Sequence, residues 1–356
     1  MHAARALEYA ERYADAHPEV TQADVDVVVP SVDDDEEMVD DAQDDEEAEP
    51  VDSGKSSDVL SSSFVAFGAP TGVLPTISVV RADGTDYASF QAYTSNFSGG
   101  VNVALSDINF DGIPEVIAGA GESGGPHVRI FKAYGAVVNE FFAYGLTTSH
   151  GVDVAAGDVD ADGDIEVVTS VGAGVSQDVV TWSLSGVEES RFTADVFAPN
   201  VPLTVDLVDI DNDWQLEFAV ATGPGYAPLV ALYDNDGTYL VSFSPFTDTS
   251  GMSIAAADVD GDYYDDLAVT SLGASRDVRI FTKIGALRSV VTQSGDTIGM
   301  RSAGFDIEVD GTDELVLVDD RDAGNVVIRS LVNNNEISSW TAPSFGATSG
   351  PFVAAW

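Results

Sequence analysis

Asp158-Val159-Asp160-Ala161-Asp162-Gly163-Asp164-Ile165-Glu166 follows closely on the apolar run Val152 to Ala156. Oxygen-bearing side chains stand at the first, third, fifth and ninth places of this stretch, and a glycine bends the chain at the sixth. A hard cation such as Ca²⁺ takes six to eight oxygens at about 2.3–2.6 Å, which a short loop of alternating carboxylates can supply. Asp and Gly are also the ordinary residues of tight turns, so a single copy decides little. The stretch, however, recurs.

At intervals of about fifty residues the chain repeats a short apolar strand, an acidic loop and a second apolar strand, with starts at Gly100, Gly151, Val201, Gly251 and Gly299. A fixed period of this size marks a solenoid, a propeller or another array. Within one period, Val101 to Leu105, Glu115 to Ala118, His127 to Lys132 and Val137 to Ala143 are β-branched and aromatic runs parted by glycine-containing turns, so each reads as a strand. Four strands per repeat is the pattern of a propeller blade. The first strand of each repeat is short-chained at Val103-Ala104-Leu105-Ser106, Val154-Ala155-Ala156-Gly157 and Ile254-Ala255-Ala256-Ala257. Strands converging on a central axis have room for little else.

The ends of the array complement each other. Phe64 to Tyr93 supplies a second, third and fourth strand without a first, and Ser349 to Trp356 reads as the missing first strand. The expectation is therefore an all-β propeller of six blades, at about 100–148, 150–198, 200–248, 250–296, 298–342 and a shared blade of 64–96 with 349–356. No stretch supplies a seventh blade. Such closure is expected to leave no exposed sheet edge.

Composition bounds the function. The 356 residues carry a formal net charge of −47 with only three lysines, Lys55, Lys132 and Lys283. That surface repels nucleic acid and anionic membranes and attracts cations. It suits a saline habitat, although a row of metal sites accounts for part of it. With no cysteine, neither disulfides nor thiol chemistry are available. Ala3 to His17 is helix-permissive and stops at Pro18, and the acidic Asp33 to Glu49 followed by serine-rich Ser53 to Ser63 reads as an open linker, so residues 1–62 form a tail and 63–356 the ordered unit. Met1 to Ala16 lacks the basic and apolar regions of a secretory signal, and no apolar run approaches the roughly 20 residues of a membrane helix.

Phe67-Gly68-Ala69-Pro70 and Gly124-Gly125-Pro126-His127-Val128-Arg129-Ile130-Phe131, set against five acidic loops in register with the strands, resemble the FG-GAP or VCBS-type repeats of integrin α subunits and of bacterial and archaeal surface proteins. The resemblance spans Phe64 to Trp356. It implies a propeller with Ca²⁺ held between the first and second strands of a blade, serving adhesion or recognition at the cell surface or outside the cell.

Carried onto this chain, the resemblance implies a first site of Asp107, Asn109, Asp111, the Ile113 carbonyl and Glu115, and a second of Asp158, Asp160, Asp162, the Asp164 carbonyl and Glu166. A third comprises Asp209, Asp211, Asp213, the Gln215 carbonyl and Glu217, with Trp214 in the glycine place. A fourth comprises Asp258, Asp260, Asp262, the Tyr264 carbonyl and Asp266, with Tyr263 there. The fifth comprises Asp306, Glu308, Asp310, the Thr312 carbonyl and Glu314. Where the sixth place needs positive φ, a residue bearing a Cβ costs roughly 1–2 kcal/mol. The first two loops are therefore expected to bind most strongly.

No Gly-x-Ser-x-Gly elbow or zinc-type histidine cluster appears, and His127 in a strand reads as a packing residue. The expectation is a non-enzymatic module for a protein or glycan ligand, as a monomer or part of a larger assembly. The alternatives are a lectin using aromatics such as Tyr144 and Phe246, and the ancillary propeller of an enzyme. Trp182, Trp214, Trp340 and Trp356 are expected mostly to cover blade cores, and Asn96-Phe97-Ser98 is a glycosylation sequon.

Overall fold

A computed structural model describes residues 60–145, 149–172, 177–294, 299–307, 311–321, 324–347 and 349–356. The expected N-terminal helix lies outside the described residues, as does nearly all of the acidic linker. Glu308 and Asp310 of the fifth loop lie outside them as well.

Among the described residues, twenty-four strands are grouped in six four-stranded antiparallel sheets. The first complete blade contains β4 (Val101–Ser106), β5 (Glu115–Ala120), β6 (His127–Lys132) and β7 (Val137–Phe142), within a residue or two of the boundaries the pattern predicts. The next three are β8 (Val152–Gly157) to β11 (Glu188–Thr193), β12 (Leu203–Val208) to β15 (Tyr239–Phe243), and β16 (Met252–Ala257) to β19 (Leu287–Thr292). The fifth runs from β20 (Met300–Phe305) to β23 (Glu336–Thr341). In the shared blade β24 (Phe352–Ala355) lies against β1 (Phe64–Gly68), which continues into β2 (Thr76–Arg81) and β3 (Asp86–Gln91). Val65 faces Ala355 and Gly68 faces Phe352, and Phe64 and Trp356 exchange backbone hydrogen bonds of 2.7 and 2.9 Å.

First strands contact one another in the circular order β24, β4, β8, β12, β16, β20 and back to β24. The ring is a closed six-bladed propeller, and the short-chained strands stand at its axis. Every second strand of a blade, from Glu115–Ala120 to Glu314–Asp319, is buried along its whole length between neighbouring sheets.

Closure removes the open edge of β1 but not every edge. The fourth strands, β3, β7, β11, β15, β19 and β23, pair on one side only and are largely exposed. Each pairs with its third strand through a register shift at the same place, such as Ile130/Phe131 and Ile280/Phe281. Such bulges twist an edge away from partners.

Neighbouring blades interlock outside the axis. The hairpin glycine between third and fourth strands lies on an aromatic ring of the preceding blade: Gly135 on Phe90, Gly186 on Phe141, Gly237 on Phe192, Gly285 on Phe243 and Gly84 on Trp340. The fifth blade departs from the pattern on both sides at once. Its hairpin carries Asn334 at φ 58°, and the preceding blade offers Val291 instead of an aromatic.

Candidate functional site

Each acidic loop is the turn between a first strand and the buried second strand. Its ninth residue begins the second strand and is drawn under with it, leaving Glu115, Glu166, Glu217, Asp266 and Glu314 all buried. Burying a carboxylate costs free energy unless donors or cations meet it. The donors are local. The second residue of the loop donates its N–H to the ninth carboxylate in four copies: Ile108 to Glu115 at 3.1 Å, Val159 to Glu166 at 2.9 Å, Ile210 to Glu217 at 2.9 Å and Ile307 to Glu314 at 3.0 Å.

The first carboxylate caps the turn. Asp158 accepts from the N–H groups of Asp162 and Gly163, both at 3.1 Å, and Asp258 accepts from Gly261 and Tyr263, both at 2.8 Å. The seventh residue donates to the fifth carboxylate, as Asp164 does to Asp162 at 2.9 Å, Ile113 to Asp111 and Gln215 to Asp213 at 3.0 Å, and Tyr264 to Asp262 at 3.1 Å.

This wrapping requires positive φ at the sixth place: Gly112, Gly163 and Gly311 adopt it, and so do Trp214 at 76° and Tyr263 at 66°. The fourth place carries the same requirement, which the sequence pattern does not announce. Phe110, Ala161, Asn212 and Gly261, all at the fourth place, are left-handed too. The fourth loop has thus moved its glycine from the sixth place to the fourth.

Among the described residues, three sets of carboxylates bring ligand atoms to within 4.8 Å of one another: Asp158, Asp160 and Glu166; Asp209, Asp211 and Glu217; and Asp258, Asp260 and Asp262. The third loop, expected to be weaker for its Trp214, therefore gathers the same three places as the second. The first loop, expected to be among the strongest, gathers no such set. There Lys132 Nζ lies 2.6 Å from Glu115 Oε1 and 3.7 Å from Asp111 Oδ2, and Asn109 Nδ2 donates to the same Glu115 oxygen at 2.8 Å. In the fourth loop Arg288 binds Asp266 and, at 2.7 Å, Asp260.

Burial, reinforced by neighbouring carboxylates, pushes Glu166 and Glu217 up to about 8 and Asp158 up to about 6. Such a set of oxygens holds its charge poorly without a counter-ion, which fits it to a hard cation. Of the fifth set, Asp306 and Glu314 are buried, and Asp306 accepts from Gly311 at 3.3 Å.

The loops are also joined to one another. Leu216 donates to the Val159 carbonyl at 3.1 Å, Asp265 to the Asp209 carbonyl at 2.8 Å and Asp313 to the Asp258 carbonyl at 2.7 Å, linking the second loop to the fifth. Asp265 and Asp313 return the contact, accepting from the Asp209 and Asp258 N–H groups at 2.8 Å.

The axis holds a cavity of about 780 Å³. Asn102, Asp153, Thr204, Ser253 and Arg301, the second residues of β4, β8, β12, β16 and β20, line it together with Phe352, the first residue of β24. Asp153 accepts from the Val205 N–H at 3.0 Å, yet burial pushes it up to about 7; Asp206 is pushed up to about 6 for the same reason.

His127 stacks on Phe142 at 4.5 Å, and burial lowers its pKa. Trp182 is buried with its Nε1–H on Thr169, and Trp340 packs edge-on to Phe67. Tyr144 donates to the Thr169 carbonyl of the next blade, and Phe246 is buried beneath Arg279. Both aromatics named for a sugar face are thus engaged in blade packing.

No family model matches the chain, and no curated protein does. Among solved structures, a protein of unknown function from Bacteroides caccae is similar at a TM-score of 0.56 and 12% identity, covering 82% of this chain and 98% of that one. The BBS1N chain, solved with ARL6DN, aligns at a TM-score of 0.48 and 11% identity over 78% of this chain and 82% of that one. Sqt1 of Saccharomyces cerevisiae aligns at 0.45 and 14% over 80% and 72%. The likeness to the Bacteroides protein is one of fold.

Proposed function

We propose that this chain is a calcium-braced recognition module of the FG-GAP or VCBS type, a non-enzymatic propeller that presents a rigid surface to a protein or glycan ligand outside the cell. The observation that carries the reading is the repeated loop, with Asp158, Asp160 and Glu166, and again Asp209, Asp211 and Glu217, gathered within 4.8 Å. Asp162, Asp213 and the seventh-place carbonyls lie in the same turns and would complete an oxygen shell. A bound Ca²⁺ would supply the positive charge these carboxylates need. Because the loops are hydrogen-bonded from blade to blade, a brace in one is felt by its neighbours.

An ion that binds only the folded chain stabilises it by RT ln(1 + [L]/Kd), about 2.7 kcal/mol at a hundredfold excess over Kd. Calorimetry with EGTA, Mg²⁺ or Ca²⁺ tests this: Tm is expected to rise with free Ca²⁺ and much less with Mg²⁺. An identical Tm in EGTA and in millimolar Ca²⁺ sinks the reading. A glycan array and a protein pull-down, each with and without EGTA, then sort the two ligand classes.

A further inference from the structure

We infer that the loops of this ring divide by the source of their positive charge: Lys132 and Arg288 stand in for the metal in the first and fourth loops, and the second and third take an ion. The inference rests on the calcium reading above and deepens it.

Lys132 ends β6, directly opposite Glu115 across the β5–β6 ladder. The residues in the corresponding place of the other blades follow from the same registers: Ser183 opposite Glu166, Asp234 opposite Glu217 and Thr282 opposite Asp266, one step beyond the paired Val167–Trp182, Phe218–Tyr233 and Leu267–Phe281. The first blade alone of these four places an ammonium there. It is also one of only three lysines in a chain with 61 acidic residues. Its Nζ sits 2.6 Å from Glu115, whose other oxygen is taken by the Ile108 N–H.

The fourth blade reaches the same end from another strand. Arg288 is the second residue of β19, and its guanidinium spans the third and ninth places of the loop by contacting Asp260 and Asp266. In that register the second blade carries Glu189, a further acid in place of a cation. The ninth residue of this loop is Asp266, one methylene shorter than the glutamates elsewhere. A guanidinium fork reaches a recessed carboxylate and its neighbour together.

In the second and third loops the side chains gathered within 4.8 Å of one another are carboxylates, Asp158, Asp160 and Glu166 in the one and Asp209, Asp211 and Glu217 in the other.

Counting bound calcium by equilibrium dialysis and elemental analysis tests the division. Relative to the wild-type chain, Asp160→Asn and Asp211→Asn are each expected to lose one ion and Asp111→Asn none. Lys132→Met and Arg288→Leu are each expected to gain one, and Lys132→Arg to gain none. Loss of an ion from Asp111→Asn, or no gain in both Lys132→Met and Arg288→Leu, overturns the inference while the calcium reading stands. No bound calcium in any chain overturns both. Should Lys132→Met fold poorly, the Asp111→Asn count decides the first loop alone.

Discussion

Replacing Gly135 with alanine tests the interlock between blades directly. Gly135 has φ 95°, and a Cβ there would lie 2.6 Å from Cγ, 2.7 Å from Cδ1 and 2.9 Å from Cβ of Phe90. Two costs follow. A left-handed backbone costs an L-residue about 1–2 kcal/mol. Driving a methyl into a packed ring costs about 1–3 kcal/mol more, for about 2–5 kcal/mol altogether.

The two costs can be separated. Phe90→Val removes the ring and is itself destabilising, because Phe90 packs on Phe131 at 5.1 Å. On that background Gly135→Ala should cost only the backbone part. The fifth blade lacks both partners of this contact, with Asn334 in its hairpin and Val291 on the preceding blade. Urea unfolding of the four chains, followed by tryptophan fluorescence, gives the coupling, expected at about 1–3 kcal/mol in favour of the double variant. Additivity to within about 0.5 kcal/mol would refute the interlock.

Asp153 predicts a pH dependence. Its folded pKa is raised from 3.8 to about 7, so the folded chain keeps a proton that the unfolded chain has released, and stability falls as pH rises across that window. Asp153→Asn stays neutral and its Oδ1 can accept from Val205. It should therefore gain on the wild type between pH 4 and 7, by at most about 1.4 kcal/mol per unit. A stability difference that does not change with pH contradicts the burial argument. Removing 350–356 leaves β1 without its inner ladder, on the side of the axis. The truncated chain should self-associate, and a peptide covering 349–356 should restore the monomer in sedimentation; a monomer with unchanged Tm refutes closure as a stabilising element.

What was legible in the sequence was whatever repeats or lies close along the chain. The strand pattern of Val101 to Phe142 recurs with its turns, and Gly350 to Ala355 repeats the start of each blade closely enough to show where the ring closes. The counter-ions were not legible. Lys132 is 17 residues from Glu115 and Arg288 is 22 from Asp266, on two different strands, so no short motif joins acid to base. The sixth residue alone does not decide whether the loop forms. Trp214 and Tyr263 accept the left-handed backbone, and the carboxylates of the third loop gather regardless. Nor could one sequence show that Asp153 and Arg301, almost 150 residues apart, line the same cavity.

The pairing of Phe64 with Trp356 sets how the ring bears tension. β1 and β24 are antiparallel, and the start of one lies beside the end of the other. A load drawn between residue 63 and Trp356 therefore pulls from one end of the ladder and breaks its bonds one after another, as a zip opens. A load entering through residue 63 and leaving through a partner bound elsewhere on the ring spares that ladder this one-by-one loading.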